Sequence, residues 1–197
     1  MATEERIKRI NDVLNNRQKD LVVVLENIRN THNANAIIRT MDLIGIQNLY
    51  IINTLQEPFP INTAISTGAE KWITIKQFFS VKECVKELKK NNLKIFSTHL
   101  KAEATPIDKV NFSQPVAIVF GNEKEGISDQ MLKESDENIF IPMRGMVKSF
   151  NISVSVGIIL YEAISQRISS GYLDKGKLSE SEKQELFNNW IFNRRNF

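Results

Sequence analysis

A polar turn between a predicted strand and a long apolar helix carries the side chains best suited to hold a ligand. It brings together two cations, one glycine and two hydrogen-bonding residues: Arg144, Gly145, Lys148, Ser149 and Asn151. The segment 151–167 behind the turn is nearly apolar all round, which is typical of a buried helix. The first N–H groups of a helix lack intrahelical partners. Ser149 and Asn151 can therefore either cap these groups or leave them for a ligand.

Two further segments bring glycine or polar residues to the ends of predicted strands. The apolar strand 115–121 runs straight into Asn-Glu-Lys-Glu-Gly, so Gly121 and Glu123 stand beside its end. Another strand ends at Thr98, and a third ends at Ile141 just before the polar turn. Ligands of parallel sheets bind beyond the carboxyl ends of the strands. The three strand ends therefore predict one common site.

A helix nearer the N-terminus presents a further cation. Asn33 is a plausible N-cap for it, and Gly45 is a plausible C-terminal stop. Asn35, Arg39 and Asp42 follow the spacing i, i+4, i+7 and fall on one polar stripe. The stripe predicts that Arg39 lies between two hydrogen-bonding side chains.

Several common chemistries find no support in the sequence. The chain has no G-x-G-x-x-G, no G-x-x-x-x-G-K-[ST], no H-E-x-x-H and no G-x-S-x-G. Two histidines and one cysteine speak against a transition-metal site, so we expect no metal. A single cysteine cannot form an internal disulfide, which favours a reducing, cytoplasmic setting. The N-terminus has no apolar signal region and no run is long enough for a membrane span, so we expect no membrane partner.

Apolar runs that alternate with helical patterns define the fold class. Strands are predicted at 20–28, 48–53, 72–75, 93–98, 115–121 and 139–141, and helices at 3–16, 33–45, 61–68, 81–90, 129–134, 151–167 and from 179 onward. Such alternation predicts an α/β fold with a mostly parallel sheet flanked by helices. A catalytic domain over 20–170 would then lie between an N-terminal helical basic arm, 1–19, and a C-terminal helical extension, 171–197.

Both arms carry arginines. In the N-terminal arm they lie on a different side of the helix from its apolar stripe, and in the C-terminal arm they stand near the chain end: Arg6, Arg9 and Arg17, then Arg194 and Arg195. A net charge of +3 permits a polyanionic partner without requiring one. The arginines are consistent with a strip that contacts RNA and equally with an ordinary solvated charged face.

Three segments of this chain together resemble the TrmH-like branch of the SPOUT methyltransferases. Asn33 and Arg39 match the first motif, N-x-x-x-x-x-R. The second motif, G-x-E-x-x-G, is matched by Gly121, Glu123 and Gly126. The third is matched by Ile-Pro-Met at 141–143 and by Ser-Phe-Asn-Ile-Ser-Val at 149–154, where Phe150 replaces the usual leucine. Asn35 stands where a small residue is usual.

The resemblance implies a fold, a reaction and partners. The fold would contain a trefoil knot in the C-terminal part of the domain. The methyl donor would be S-adenosylmethionine, and the enzyme would be a homodimer. The segment before the first motif and the helix with Trp190 look like the tRNA-specific members, which implies 2′-O-methylation of guanosine 18 in the tRNA D-loop. The alternatives are another tRNA or rRNA nucleotide, or a non-catalytic RNA-binding factor.

The resemblance also implies residue roles. The catalytic set would be Asn33, Arg39, Glu123, Ser149 and Asn151. The cofactor would contact Thr98, Gly121, Ile141, Met146 and Phe150. An arginine is almost never neutral, so we interpret Arg39 as a cation that stabilises the developing alkoxide rather than as a base. The helix 151–167 is too apolar to face solvent on all sides, which favours a self-complementary dimer interface. The sequence leaves open which subunit's cofactor Arg39 serves.

Overall fold

A seven-stranded sheet forms the centre of the molecule, which a computed structural model describes over residues 2–55, 57–60, 68–100, 103–174 and 176–192. The strands are β1 (Gln18–Glu26), β2 (Ile46–Ile52), β3 (Thr74–Phe78), β4 (Lys94–Thr98), β5 (Thr105–Pro106), β6 (Val116–Phe120) and β7 (Glu137–Phe140). They lie in the order β3-β2-β1-β6-β4-β7-β5, and every pairing is parallel. The predicted α/β class with a parallel sheet is confirmed.

Helices cover both faces of this sheet. They are α1 (Glu4–Asn16), α2 (Thr31–Leu43), α3 (Val81–Lys90), α4 (Asp129–Glu134), α5 (Ile152–Ser169) and α6 (Glu180–Ile191). Successive side chains of β1 point to opposite faces. Val23 and Leu25 therefore join the core beneath α2 and α5, whereas Val22 and Val24 join the core beneath α3 and α4. Burial on both faces explains the continuous β-branched run.

Local details depart from the sequence prediction in three places. Helix α2 begins at Thr31 because Asn30, not Asn33, caps it; the Asn30 side chain accepts from the N–H groups of His32 and Asn33. Strand β5 is not among the strands predicted from the sequence. The strand predicted at 72–75 is β3, displaced toward the C-terminus. The helix predicted over 61–68 falls, apart from its last residue, outside the described residues.

Helix α5 is buried on only one side. Val156, Leu160 and Ala163 are fully buried against α2 and the sheet. The other side carries Val154 and Tyr161, which are 47% and 75% exposed. The prediction of a buried helix is therefore right for its inner face, and an apolar outer face remains open in a single chain.

The two terminal helices pack against each other and form one small module with its own apolar core. Ile10 and Leu14 of α1 share a core with Leu178 and Trp190, and Trp190 meets Trp72 edge-on at 5.5 Å between ring centroids. The Arg6 guanidinium donates to the Trp190 carbonyl at 3.1 Å. The arms are thus packed parts of the structure rather than loose extensions.

Arg17 belongs to this module as well. Its side chain is fully buried and forms an ion pair with Asp42 of α2. Its guanidinium also lies 5.2 Å from the centre of the Trp190 ring. Burial lowers the pKa of Arg17, and the Asp42 carboxylate partly offsets this effect. A direct RNA contact of Arg17, predicted from the sequence, does not fit this position, because no phosphate can reach the buried group.

Candidate functional site

A cavity of about 640 Å³ opens at the carboxyl ends of β4, β6 and β7. Its apolar floor includes Phe120, Ile139 and Ile159, which are almost fully buried. Seven of the predicted site residues line it, from three separate segments: Thr98, Gly121, Glu123, Ile141, Ser149, Phe150 and Asn151. The convergence of strand ends expected from the sequence therefore produces a real concavity, as parallel sheets do at this edge.

The loop after β6 is held in one conformation by its own backbone. Asn122 and Gly126 exchange backbone hydrogen bonds of 2.9 and 2.8 Å. A Cβ on Gly121 would lie 2.2 Å from the carbonyl carbon of Gly126. The family resemblance implies that Gly121 contacts the cofactor. In the structure, the close approach that requires glycine is that of the loop to itself.

The end of β1 anchors the same loop from the other side. The Glu26 carboxylate, 1% exposed, accepts from the Ser128 N–H at 3.0 Å and from the Ser128 hydroxyl at 2.6 Å. The Asn122 amide donates to the Asn27 carbonyl at 2.7 Å. Sequence reasoning missed Glu26, although a lone carboxylate at the end of an apolar strand was a usable signal. A buried carboxylate needs such partners, so the loop and the strand end stabilise each other.

Three predicted catalytic residues form a chain of hydrogen bonds. The Asn33 amide donates to Glu123 at 2.8 Å, and the Asn151 amide donates to the Asn33 side-chain oxygen at 3.2 Å. The Asn151 oxygen accepts from the backbone and hydroxyl of Ser153 and so caps α5. One polar strip therefore joins the starts of α2 and α5 to the loop after β6. Its ends at Glu123 and Asn151 lie on the cavity wall.

Arg39 is not part of this strip. It is exposed, and no side chain in the described part of the chain pairs with it. It follows Asn33 by six residues on α2, which places it about 9 Å further along the axis and about 240° around it. The predicted stripe is also incomplete, because Asn35 is fully buried and Asp42 pairs with Arg17.

Met146 is an expected cofactor contact that does not line the cavity. It is 100% exposed and is not among the residues that line the cavity. The turn that carries it projects into solvent before the chain enters α5. The other expected cofactor contacts remain compatible with the cavity, although the Thr98 hydroxyl is bound to the Val119 carbonyl at 2.9 Å. The Thr98 hydroxyl has therefore used its donor, but its oxygen can still accept a hydrogen bond from a ligand.

Membrane-spanning helices and clusters of metal-binding side chains are both absent from the described residues. None of their helices is long and apolar enough to cross a membrane. Nowhere in residues 2–55, 57–60, 68–100, 103–174 and 176–192 do three or more His, Cys, Asp or Glu side chains cluster in a way that could hold a metal ion.

A parallel α/β sheet with a cavity at its carboxyl edge, and with these three motifs around the cavity, defines a class of RNA methyltransferases. The model of the SpoU rRNA methylase family matches residues 20–161. The chain belongs to this family, and the resemblance inferred from the motifs is confirmed.

Individual relatives extend the match to almost the whole chain. The tRNA (guanosine(18)-2′-O)-methyltransferase of Aquifex aeolicus is 38% identical over 192 residues, which cover 98% of this chain and 91% of the relative. The crystal structure of the A. aeolicus TrmH/SpoU tRNA modifying enzyme superposes with a TM-score of 0.89, at 38% identity and 96% coverage of both chains. The methyltransferase AviRb from Streptomyces viridochromogenes, in complex with AdoMet, gives a TM-score of 0.70 at 25% identity, with 80% of this chain and 64% of AviRb covered.

Proposed function

We propose that this protein transfers a methyl group from S-adenosylmethionine to the ribose 2′-oxygen of guanosine 18 in the D-loop of tRNA. The observation that carries the proposal is the near full-length match to tRNA (guanosine(18)-2′-O)-methyltransferases, which includes both terminal helices. The polar strip at the cavity mouth supplies groups that can position the ribose for this reaction.

The cavity suits S-adenosylmethionine. Its apolar floor can take an adenine ring, and its rim offers main-chain groups at the strand ends, a mixture that is typical of cofactor pockets. We propose that Thr98, Gly121, Ile141 and Phe150 contact it, with Met146 reaching it only if the exposed turn folds inward. When bound, the cofactor supplies an electrophilic methyl group on its sulfonium.

The residues of the polar strip position the ribose. Glu123 can accept a hydrogen bond from a ribose hydroxyl, and Asn33 holds the Glu123 carboxylate in place at 2.8 Å. Asn151 fixes the start of α5, where Ser149 can donate to the substrate. Holding the 2′-oxygen in line with the methyl group supplies much of the rate enhancement. The hydroxyl proton is released to solvent as the methyl group is transferred, and a cation stabilises the negative charge that develops on the oxygen.

We assign that cation to Arg39, acting across a homodimer. Ideal helix geometry puts Arg39 about 240° around α2 from Asn33, which favours a role outside the cavity of its own subunit. Val154, Tyr161 and Ile168 are exposed at intervals of seven residues on α5, which puts them on one face. A symmetric interface through this face would cover the apolar stripe and bring α2 of one subunit toward the partner.

The terminal module would contact tRNA outside the cavity. Both Arg6 and Arg9 belong to α1. Arg9 is exposed, whereas Arg6 is half-buried and donates to the Trp190 carbonyl of α6. We therefore propose that Arg9 is the residue of α1 that contacts a phosphate. Arg194 and Arg195, near the other end of the chain, would add further phosphate contacts; both lie outside the described residues. Phosphate contacts position a nucleic acid without reading its sequence.

Three further features remain part of the proposal. The trefoil knot implied by the family resemblance would lie in the C-terminal part of the domain. The division into an arm over 1–19, a catalytic domain over 20–170 and an extension over 171–197 agrees with a family match that starts at residue 20. A tRNA substrate favours a cytoplasmic location.

The deciding experiment is nucleoside mass spectrometry of tRNA incubated with the protein and isotopically labelled S-adenosylmethionine. We expect labelled 2′-O-methylguanosine, located at position 18 by fragment mapping. Label at another tRNA or rRNA nucleotide would reassign the substrate. Absence of label in every RNA, with RNA binding retained, would indicate a non-catalytic RNA-binding factor and refute the proposal.

A further inference from the structure

A second cavity, of about 280 Å³, lies at the carboxyl ends of β1 and β2. Its buried floor is formed by Ile28 and Phe59, which are 4% and 5% exposed. Glu125 lines both this cavity and the larger one. The loop that carries Glu123 and Glu125 therefore forms a wall between the two concavities. Glu123 belongs to the polar strip, and Glu125 borders both cavities.

The walls of the second cavity are fixed by hydrogen bonds rather than by chance packing. The Asn27 side-chain oxygen accepts from both the N–H and the hydroxyl of Thr54, at 2.9 and 3.0 Å. The Asn53 amide donates to the Glu57 carbonyl at 2.6 Å, and its oxygen accepts from the Leu55 N–H at 3.2 Å. A pocket whose walls are already ordered loses little conformational entropy when a ligand enters.

Two unlike charges stand at the rim. The Arg29 guanidinium and the Glu125 carboxylate are 3.5 Å apart, and their side chains are 61% and 69% exposed. Such an exposed pair is only weakly held, so a ligand that pairs with both groups can separate them. Leu55, 71% exposed at the same rim, offers an apolar surface against which a flat ring can pack.

We propose that this second cavity binds the guanine base of the nucleotide whose ribose is methylated. Guanine presents two adjacent donors, N1–H and the 2-amino group, which suit the Glu125 carboxylate. It also presents two adjacent acceptors, O6 and N7, which arginine binds in bidentate fashion. No other standard RNA base offers both pairs. The base would leave its stack to enter the cavity, as enzymes acting on single nucleotides require, while its ribose lies over the loop near Glu123.

This inference rests on the proposed methyl transfer to a guanosine, and its test separates the two. The substrates are tRNAs carrying guanosine, inosine or 7-deazaguanosine at the target position. Inosine lacks the 2-amino group, and 7-deazaguanosine lacks N7. With the unchanged protein, we expect kcat/KM to fall about tenfold or more for each analogue.

Two variants then assign each contact. Glu125→Gln replaces one acceptor by a donor. The kcat/KM for guanosine should therefore fall toward that for inosine, and the ratio of the two values should approach one. Arg29→Gln should lower kcat/KM more for guanosine, which loses contacts to both O6 and N7, than for 7-deazaguanosine, which has only the O6 contact to lose. Loss of a phosphate contact would lower kcat/KM equally for both substrates. Glu134→Gln is the matched control, because it also breaks an exposed ion pair, with Lys89 at 2.6 Å, and lies in neither cavity.

The outcomes are distinct. If the unchanged protein methylates no guanosine in tRNA, the proposed function fails. If it forms 2′-O-methylguanosine but Glu125→Gln and Arg29→Gln keep the analogue ratios of the unchanged protein, with circular dichroism and cofactor binding intact, the guanine pocket is refuted and the function stands.

Discussion

Arg17 and Arg9 should respond in opposite ways to the same substitution. Both are basic residues of the N-terminal arm, but Arg17 is fully buried beside Asp42 and Trp190, whereas Arg9 faces solvent. Arg17→Ala should therefore reduce stability, and Arg9→Ala should reduce tRNA binding. The two variants test whether the burial of an arginine decides if it contributes to stability or to tRNA binding.

The size of the stability loss follows from the contacts of Arg17. Removal of its side chain leaves Asp42 without its cation and the Ile46 carbonyl without a donor at 3.3 Å. Breaking a buried ion pair costs about 3–5 kcal/mol, and Asp42 is 26% exposed, so water recovers part of this. We expect Arg17→Ala to lower the free energy of unfolding by about 3 kcal/mol, which corresponds to a fall in Tm of roughly 6–12 °C for a domain of this size.

Differential scanning calorimetry and a tRNA binding assay over a salt series measure the two effects. Arg17→Met keeps the packing of the side-chain stem and should lose less stability than Arg17→Ala. Arg9→Ala should leave Tm unchanged, weaken tRNA binding and reduce the slope of log affinity against log salt by about one. An unchanged Tm in Arg17→Ala, together with weaker tRNA binding, would refute the structural role of Arg17.

Three further substitutions or reagents test the site and the core. Gly121→Ala should weaken cofactor binding in calorimetry, because its Cβ would overlap Gly126 and force the loop to move; undiminished binding would show that the cofactor does not need this loop conformation. Arg39→Ala and Arg39→Lys should keep cofactor binding and lose most methyl transfer, and co-refolding Arg39→Ala with Asn151→Ala chains should restore activity only if sites are shared between subunits. Burial raises the pKa of the Cys84 thiol to about 12, so alkylation by iodoacetamide at pH 8 should require unfolding; rapid labelling of the folded protein would contradict its buried position.

The sequence predicted the site better than it predicted the termini. Asn33, Glu123 and Asn151 belong to short motifs next to strand ends, and parallel topology brings such ends together. Their mutual hydrogen bonds follow from that topology. No such rule relates α1 to α6. The partners of Arg17 come from α2 and α6, so the spacing within its own helix could not reveal that it is buried.

Local competition explains the remaining misses. Both Asn30 and Asn33 are good N-cap residues, and periodicity cannot decide between caps that are one turn apart. Glu26 ends an apolar strand, and its role depends on Ser128, about a hundred residues later in the chain. In each case the deciding contact is tertiary, whereas the sequence signal is local.

The pairing of α1 with α6 has a consequence for how this chain folds during synthesis. The hydrogen bond from Arg6 to the Trp190 carbonyl joins residues 184 positions apart. Contacts so distant in sequence form late, since the entropy of closing the intervening loop must first be offset by other contacts. Domains begin to fold from the N-terminus as they leave the ribosome. Part of the apolar surface of Ile10 and Leu14 is therefore expected to stay exposed until α6 has emerged, because Leu178 and Trp190 belong to the same core. Helix α1 is the first helix to be synthesised, yet its packing is completed among the last.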